Sequence, residues 1–351
     1  MKSFWDKLPK PFFCLAPMAD VTDAAFRRII AKYGRPDIMW TEFVSADGLC
    51  HPQGREKLLT NLLYSEAERP IVAQLFTAHP DKMEEAARLI QELGFDGLDI
   101  NMGCPDRAVE KQGAGAALVK NHKLAQEIIS AARAGAPKLP ISVKTRLGYS
   151  RDELNTWLPT LLETKLAAIT IHARTRKEMS KMPARWEALT RAVKIRDDLE
   201  SKTLIIGNGD VATLAEARER AEETGVDGIM LGRAIFGNPW LFQENQKAIA
   251  CSRSTRGSRD QLPSDSLDQR FGLKNPPRSN LKIRLRVLVE HTKLFEKIFG
   301  QTKSFAIMKK HYKCYVTGFA GAVELRQELM EAVNSEAVEK IVDKYLTSML
   351  S

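Results

Sequence analysis

The chain has 351 residues, 44% of them hydrophobic, and a formal net charge of +9. That length suits one large domain plus a small one, and no apolar run approaches the ~18 residues that a membrane-crossing helix needs. The start, Met1 to Pro9, lacks the apolar stretch of a secretory signal, and the five cysteines (Cys14, Cys50, Cys104, Cys251, Cys314) form no C-x-x-C pair. The expectation is a cytoplasmic protein with reduced thiols and neither a disulfide framework nor a zinc site.

Eight short apolar runs recur: Phe12 to Ala16, Ile38 to Phe43, Ile71 to Phe76, Gly97 to Asn101, Pro140 to Lys144, Ala167 to His172, Thr203 to Gly207 and Gly228 to Leu231. Amphipathic stretches separate them, among them Pro80 to Leu93, Asn121 to Ala134, Arg151 to Thr164, Trp186 to Ile195 and Thr213 to Glu223. Strands alternating with helices mean parallel βαβ units, and eight in about 240 residues predict a (β/α)8 TIM barrel over residues 1–245. An open doubly wound sheet is disfavoured because no G-x-G-x-x-G turn follows the first strand.

Residues 246–280 are rich in Ser, Arg, Pro and Asp and read as a basic, flexible linker. From 281 to 351 four helical patterns predict a small C-terminal bundle. Leu281, Leu285, Leu288, Phe295 and Phe299 share one face of the first. Phe305, Met308, Tyr312 and Tyr315 share a face of the second, Val323 to Met330 forms the third, and Val338, Ile341, Val342, Tyr345 and Met349 line the fourth, which starts near Asn334. These aromatic stripes read as core rather than as a base-stacking platform. Charge is concentrated here: residues 246–351 carry 19 Lys/Arg against 11 Asp/Glu, whereas the first 245 residues hold 34 against 33. A polyanionic partner would explain this asymmetry, and so would a plain solvated surface.

Barrel strands end at the catalytic face. What they deliver there is Pro17-Met18 and Asp20, Glu42, Gln74, Asn101 with Cys104, Lys144 with Arg146, His172 with Arg174, Asn208-Gly209-Asp210, and Gly232-Arg233. Small residues and backbone amides after the seventh and eighth strands are a phosphate signal, shared by sugar-phosphate and flavin-mononucleotide barrels. A lysine such as Lys144 would stabilise the negative charge of a reduced flavin, while Gln74 and Asn101 would hydrogen-bond the ring's amide groups. No carboxylate cluster accompanies the histidines, so a metal site is not expected. Taken alone, Cys104 reads as an inert thiol in a turn.

Six motifs change that reading. Ala16-Pro17-Met18-Ala19, Asn101-Met102-Gly103-Cys104-Pro105, Lys144-Thr145-Arg146, His172-Ala173-Arg174-Thr175-Arg176, Asn208-Gly209-Asp210 and Gly232 to Trp240 occur in the order found in tRNA-dihydrouridine synthases, and over about residues 12 to 245 the chain resembles that family. More weakly, Lys310-His311-Tyr312 resembles the basic element of the family's RNA-binding domain.

The resemblance implies an FMN enzyme that takes a hydride from NADPH and passes it to carbon 6 of a uridine in tRNA. Cys104 would protonate carbon 5. Pro17, Met18, Gln74, Lys144, His172, Asn208, Gly209, Asp210, Gly232 and Arg233 would hold the flavin, and Asn101, Arg174, Lys309 and Lys310 would meet the RNA. The expected partner is tRNA or another structured RNA, with no membrane, metal or obligate protein partner. In two places the chain departs from the family pattern: the loop from Thr175 to Trp186 lacks the usual Tyr and Gly, and the segment from Cys251 to Asn280 is long. Two other readings stay open, a flavin barrel acting on a small free pyrimidine or enone, and an inactive RNA-binding or chaperone barrel.

Overall fold

The computed structural model describes residues 3–243 and 281–349, so the segment expected to link the domains, 246–280, lies outside the described residues. The chain divides into two compact units, Met1–Arg27 with Pro36–Ala234, and Arg28–Arg35 with Ile235–Ser351. Each is described by itself.

The first unit is the predicted barrel. Its strands are β1 (Phe12–Leu15), β2 (Met39–Ser45), β3 (Ile71–Phe76), β4 (Gly97–Met102), β5 (Ile141–Arg146), β6 (Ala168–His172), β7 (Leu204–Asn208) and β8 (Gly228–Leu231). They pair in parallel in the order β1-β8-β7-β6-β5-β4-β3-β2. A parallel bridge between Cys14 and Ile38 closes the sheet, with Asp37 N donating to Phe13 O at 2.8 Å and Leu15 N to Ile38 O at 3.3 Å. The strands are buried on both faces almost throughout, as the near-continuous apolar runs require.

The helices are α1 (Ala24–Gly34), α2 (Ala46–Cys50), α3 (Pro52–Leu59), α4 (Pro80–Glu92), α5 (Arg107–Lys111), α6 (His122–Gly135), α7 (Leu154–Leu162), α8 (Glu187–Asp198) and α9 (Leu214–Thr224). The five long amphipathic patterns are all helices, but α7 starts three residues later than expected. Glu153 folds back instead, its N–H donating to Leu147 O at 2.9 Å and its carboxylate accepting from Tyr149 N at 2.8 Å.

Because side chains alternate across a strand, one phase of residues fills the interior. Its lower layer is apolar and includes Phe12, Cys14, Trp40, Val72, Ala168, Ile206 and Met230. The N-terminal 3-10 turn Phe4–Lys7 plugs it with Trp5, whose ring sits 6.0 Å from that of Phe12 and 6.3 Å from that of Trp40. Two residues further along the same phase come Gln74, Thr170, Asn208 and Gly232, beside Asp99, Asn101, Ser142, Lys144 and His172. The interior therefore changes from apolar to polar towards the ends of the strands.

In the second unit, α10 (Leu281–Phe299), α11 (Lys309–Tyr315), α12 (Ala322–Glu331) and α13 (Ser335–Ser348) form the expected bundle. Leu285, Leu288, Phe295, Phe299, Met308, Tyr312 and Tyr315 are buried, so the aromatic stripes are core. Asn334 caps α13 by accepting from Ala337 N at 2.9 Å. One detail differs from the expected faces. Met349 is 55% exposed and Leu346 is buried instead; in α12, for which no face is read, Ala322, Leu325 and Leu329 face inward and Val323 is exposed. Leu346 and Met349 are three residues apart on one side of α13, but Met349 lies beyond its last residue, Ser348, so the buried stripe ends at Leu346. Residues 28–35 join this unit through Tyr33, whose hydroxyl lies 2.6 Å from Glu290 and whose ring meets that of Trp240 edge-on at 5.7 Å.

Candidate active site

The polar end of the barrel interior opens into a cavity of about 600 Å³. Ten of the expected residues line it: Pro17 and Met18 after β1, Lys144 from β5, His172 and Arg174 from β6, Asn208, Gly209 and Asp210 from β7, and Gly232 and Arg233 from β8. Gln74, Asn101 and Cys104 lie alongside rather than in that wall. Asn101 is the register partner of Lys144 across the β4–β5 ladder, and Gln74 follows on β3.

Backbone geometry keeps the cavity open. Gly209 has φ of 135°, and a Cβ there would meet the Ala184 Cβ at 2.8 Å and His172 Cδ2 at 3.3 Å, so only glycine fits. At Gly232 a Cβ would make only ordinary contacts, 3.6 Å from the Ala16 Cβ and 3.9 Å from Met18 Sδ. What its small size preserves there is space.

Positive charge is arranged in this space with few counter-ions. Lys144 Nζ donates to Asn208 Oδ1 at 3.2 Å, and Asn208 Nδ2 donates to Met230 O at 2.7 Å, which fixes the direction of that amide. Burial, with Arg146 adding repulsion, pushes the Lys144 ammonium down to about 8. His172 is held far below its ordinary value by burial and by Lys144, Arg146, Arg174 and Arg233, so it is neutral. Arg174 Nη1 lies 3.1 Å from His172 Nε2. A guanidinium only donates, so that nitrogen accepts and the imidazole proton sits on Nδ1.

The remaining Arg174 nitrogens face Met182 O and the Asp210 carboxylate, and the side chain is 3% exposed. Asp210 also accepts from Ala184 N at 3.0 Å and from Arg233 Nη2 at 2.8 Å. Burial opposes its charge, but these donors outweigh it and hold the carboxyl below its ordinary range.

Cys104 follows β4 in a turn tied from three directions. Asn101 Oδ1 accepts from Gly103 N at 3.1 Å and from Cys104 N at 2.9 Å. Arg146 Nε donates to Gly103 O at 2.7 Å, and Ala116 N to Cys104 O at 3.0 Å. The half-buried thiol rests on a cluster of Phe76, Val109 and Ala114. Burial raises its pKa, so at neutral pH it is a thiol and a potential proton donor.

The loop from Thr175 to Trp186, whose sequence departs from the family pattern, is held by β5, by α5 and by a pair of its own. Arg146 Nη1 reaches Thr175 O and Met179 O, both at 3.2 Å; Glu178 pairs with Arg185 at 2.6 Å; and Arg176 Nε donates to Glu110 of α5 at 2.7 Å. Met179 and Met182 are left exposed on it.

A model of the family described as dihydrouridine synthase matches residues 14–350. The chain belongs to the dihydrouridine synthase family. A probable tRNA-dihydrouridine synthase of Staphylococcus aureus (strain MRSA252) is 37% identical over 350 residues, covering 99% of this chain and 97% of that protein. Probable tRNA-dihydrouridine synthase 2 of Bacillus subtilis (strain 168) is 38% identical over 345 residues, covering 98% and 97%. Among solved structures, a 2-naphthoyl-CoA reductase in complex with 2-naphthoyl-CoA shares the fold with a TM-score of 0.52 at 12% identity, over 70% of this chain and 51% of that one.

As a dihydrouridine synthase, the chain also carries charged groups outside the cavity wall whose contacts the sequence does not reveal. Asp99 belongs to none of the motifs, although a carboxylate inside a barrel strand, two residues before Asn101 and so on its face, is a signal. Arg146 stands at a strand end with no role that its position alone reveals, and Glu110 carries no signal along the chain. Lys309 and Lys310 begin α11 in the second unit, the first half-buried and the second exposed. Among the described residues no group of three metal-ligating side chains converges, and no helix is long and apolar enough to cross a membrane.

Proposed function

We propose that this dihydrouridine synthase reduces the 5,6 double bond of uridine in tRNA, holding FMN in the barrel cavity and taking its reducing equivalents from NADPH. The observation that carries this reading is the Cys104 thiol, held in the turn that follows β4 beside a cavity lined by Lys144 and His172. Reduction of a pyrimidine double bond needs a hydride on one carbon and a proton on the other.

The residues suit FMN. Gly209 and Gly232 leave the wall beyond β7 and β8 open where amides approach a phosphate, with Arg233 beside them, and Lys144 offers a cation deeper in. Pro17 and Met18 supply an apolar wall. When bound, the flavin supplies a hydride to carbon 6 of the uracil. Lys144 holds positive charge near the ring, His172 offers its Nδ1 proton as a neutral donor, and Asn208 keeps Lys144 in place. Gln74 and Asn101 would meet the ring and the base with the hydrogen-bonding positions that their contacts with Asp99, each other and the turn leave over, and Cys104 Sγ would give its proton to carbon 5. The basic second unit, with Lys309 and Lys310, is assigned to the RNA backbone, whose grip allows a uridine to leave its stack. This chemistry belongs in the cytoplasm.

Two measurements test the proposal. Mass-spectrometric mapping of dihydrouridine in RNA from a deletion strain should show a lost site in tRNA, and an unchanged pattern would overturn the reading. Chromatography of the ligand released from purified protein should identify FMN, whereas FAD, or no flavin after reconstitution, would defeat the cofactor assignment.

A further inference from the structure

Below the cavity, an uninterrupted line of hydrogen bonds connects a carboxylate in the barrel core to the cysteine turn. Asp99 is fully buried. Its Oδ1 accepts from Ser142 Oγ at 2.5 Å and its Oδ2 from Gln74 Nε2 at 2.6 Å. Gln74 Oε1 accepts from Asn101 Nδ2 at 3.1 Å, and Asn101 Oδ1 accepts from the N–H groups of Gly103 and Cys104.

The chemistry of each link gives this line a direction. A primary amide is nearly symmetric in shape but not in hydrogen bonding, so Gln74 and Asn101 each have two orientations that fill the same space. In the orientation seen, every donor meets an acceptor. If Gln74 turned over, its Oε1 would face the Asp99 carboxylate and its Nε2 would face Asn101 Nδ2. Relieving that second conflict by turning Asn101 would aim an NH₂ group at the Gly103 and Cys104 amides, and the turn would lose both anchors. An ionised carboxylate only accepts, so the buried end of the line admits one orientation for everything beyond it.

We propose that Asp99 is a positioning residue that sets the direction of the Gln74 and Asn101 amides and thereby holds the Cys104 turn in place for proton transfer. Asp99 does not line the cavity, and its hold on the turn runs through Gln74 and Asn101, while its charge also favours the Lys144 ammonium. The claim about proton transfer rests on the proposed uridine reduction; the claim about the turn does not.

Two substitutions separate direction from bulk. Asp99→Leu keeps the branched shape, with methyl groups in place of the oxygens, and removes the acceptor. Asp99→Asn keeps an oxygen for Gln74 Nε2 and turns its NH₂ to Ser142, whose hydroxyl accepts as readily as it donates. Site-resolved hydrogen exchange by mass spectrometry on the full chain should show the Gly103 and Cys104 amides exchanging about ten-fold faster or more in Asp99→Leu, with the β3 and β5 amides unchanged and Asp99→Asn restoring protection. Single-turnover reoxidation of the prereduced flavin by a tRNA transcript should slow in Asp99→Leu and recover in Asp99→Asn.

Unchanged exchange at those two amides, faster exchange across the whole barrel, or no recovery in Asp99→Asn would overturn the proposal. If Asp99→Leu does not fold, Gln74→Leu cuts the line one link further on and must release the same two amides. Should exchange behave as expected while wild-type protein fails to reduce uridine in tRNA, the positioning holds and the proposed reaction falls.

Discussion

Arg146 Nε donates to Gly103 O at 2.7 Å, so the guanidinium at the end of β5 grips the peptide immediately before Cys104. The same side chain holds Thr175 O and Met179 O on the next loop. Arg146 is 7% exposed, and its charge is maintained against burial that pushes it down to about 10.

Arg146→Met should therefore loosen two loops at once. Hydrogen bonds from a charged donor contribute roughly 1.5–3 kcal/mol, less the relief of its desolvation, so a stability loss of about 1–3 kcal/mol is expected. Limited proteolysis should cut first within residues 176–183, and urea unfolding should report the loss. Protection of that loop equal to wild type would show that the clamp is redundant.

Cys104→Ala separates the acid from a space-filling thiol. It should bind flavin and accept electrons from NADPH as wild type does, with a stability loss on the order of 1 kcal/mol. Oxidation of the prereduced flavin by substrate RNA should slow ~100-fold or more, as for a lost general acid. A near-normal single-turnover rate would remove Cys104 from the mechanism.

Lys144 sets an alkaline limit. Burial pushes its ammonium down to about 8, so the cation is present below that pH and is lost as pH rises through it. If positive charge there supports the reduced flavin, the rate of flavin reduction by NADPH should decline above about pH 8. Lys144→Met should be slow at every pH and lack this limb; a stopped-flow profile that retains it would assign the titration elsewhere.

Asp99 makes the barrel's stability depend on acid. Burial raises its carboxyl to about 6, outweighing the Ser142 and Gln74 hydrogen bonds that favour the anion. The folded state thus holds this proton more tightly than the unfolded chain, whose aspartates titrate near ~3.9, and the associated stability is present below that value and lost as pH rises through about 6. The shift corresponds to about 3 kcal/mol. Measured against Asp99→Asn by urea unfolding, wild type should lose stability between about pH 4 and pH 6; a difference independent of pH would contradict this titration.

Lys310 is exposed at the start of α11. If it meets a phosphate, Lys310→Glu should weaken tRNA binding, and leaving that phosphate without its cation should lower the slope of log affinity against log salt by about 1. Filter binding from low to high salt checks both, and an unchanged slope would leave Lys310 as a solvated surface charge.

The eight near-continuous apolar runs, separated by amphipathic stretches of helical period, determined the barrel. Burial on both faces makes that pattern nearly independent of distant context. The ten residues around the cavity were legible for the same reason: a strand end in a closed barrel has one place to go. Three things were decided only in three dimensions. Strand alternation puts Asp99 and Asn101 on one face, but only the β3–β4 register brings Gln74 between Asp99 and Asn101. Only the fold of the Thr175–Trp186 loop turns Arg174 towards His172 and Asp210 rather than outward, and only the packing of the helical unit buries Leu346. In each case the outcome depends on a partner distant in sequence, and hydrogen-bond direction and side-chain packing carry no periodicity along the chain from which that partner can be read.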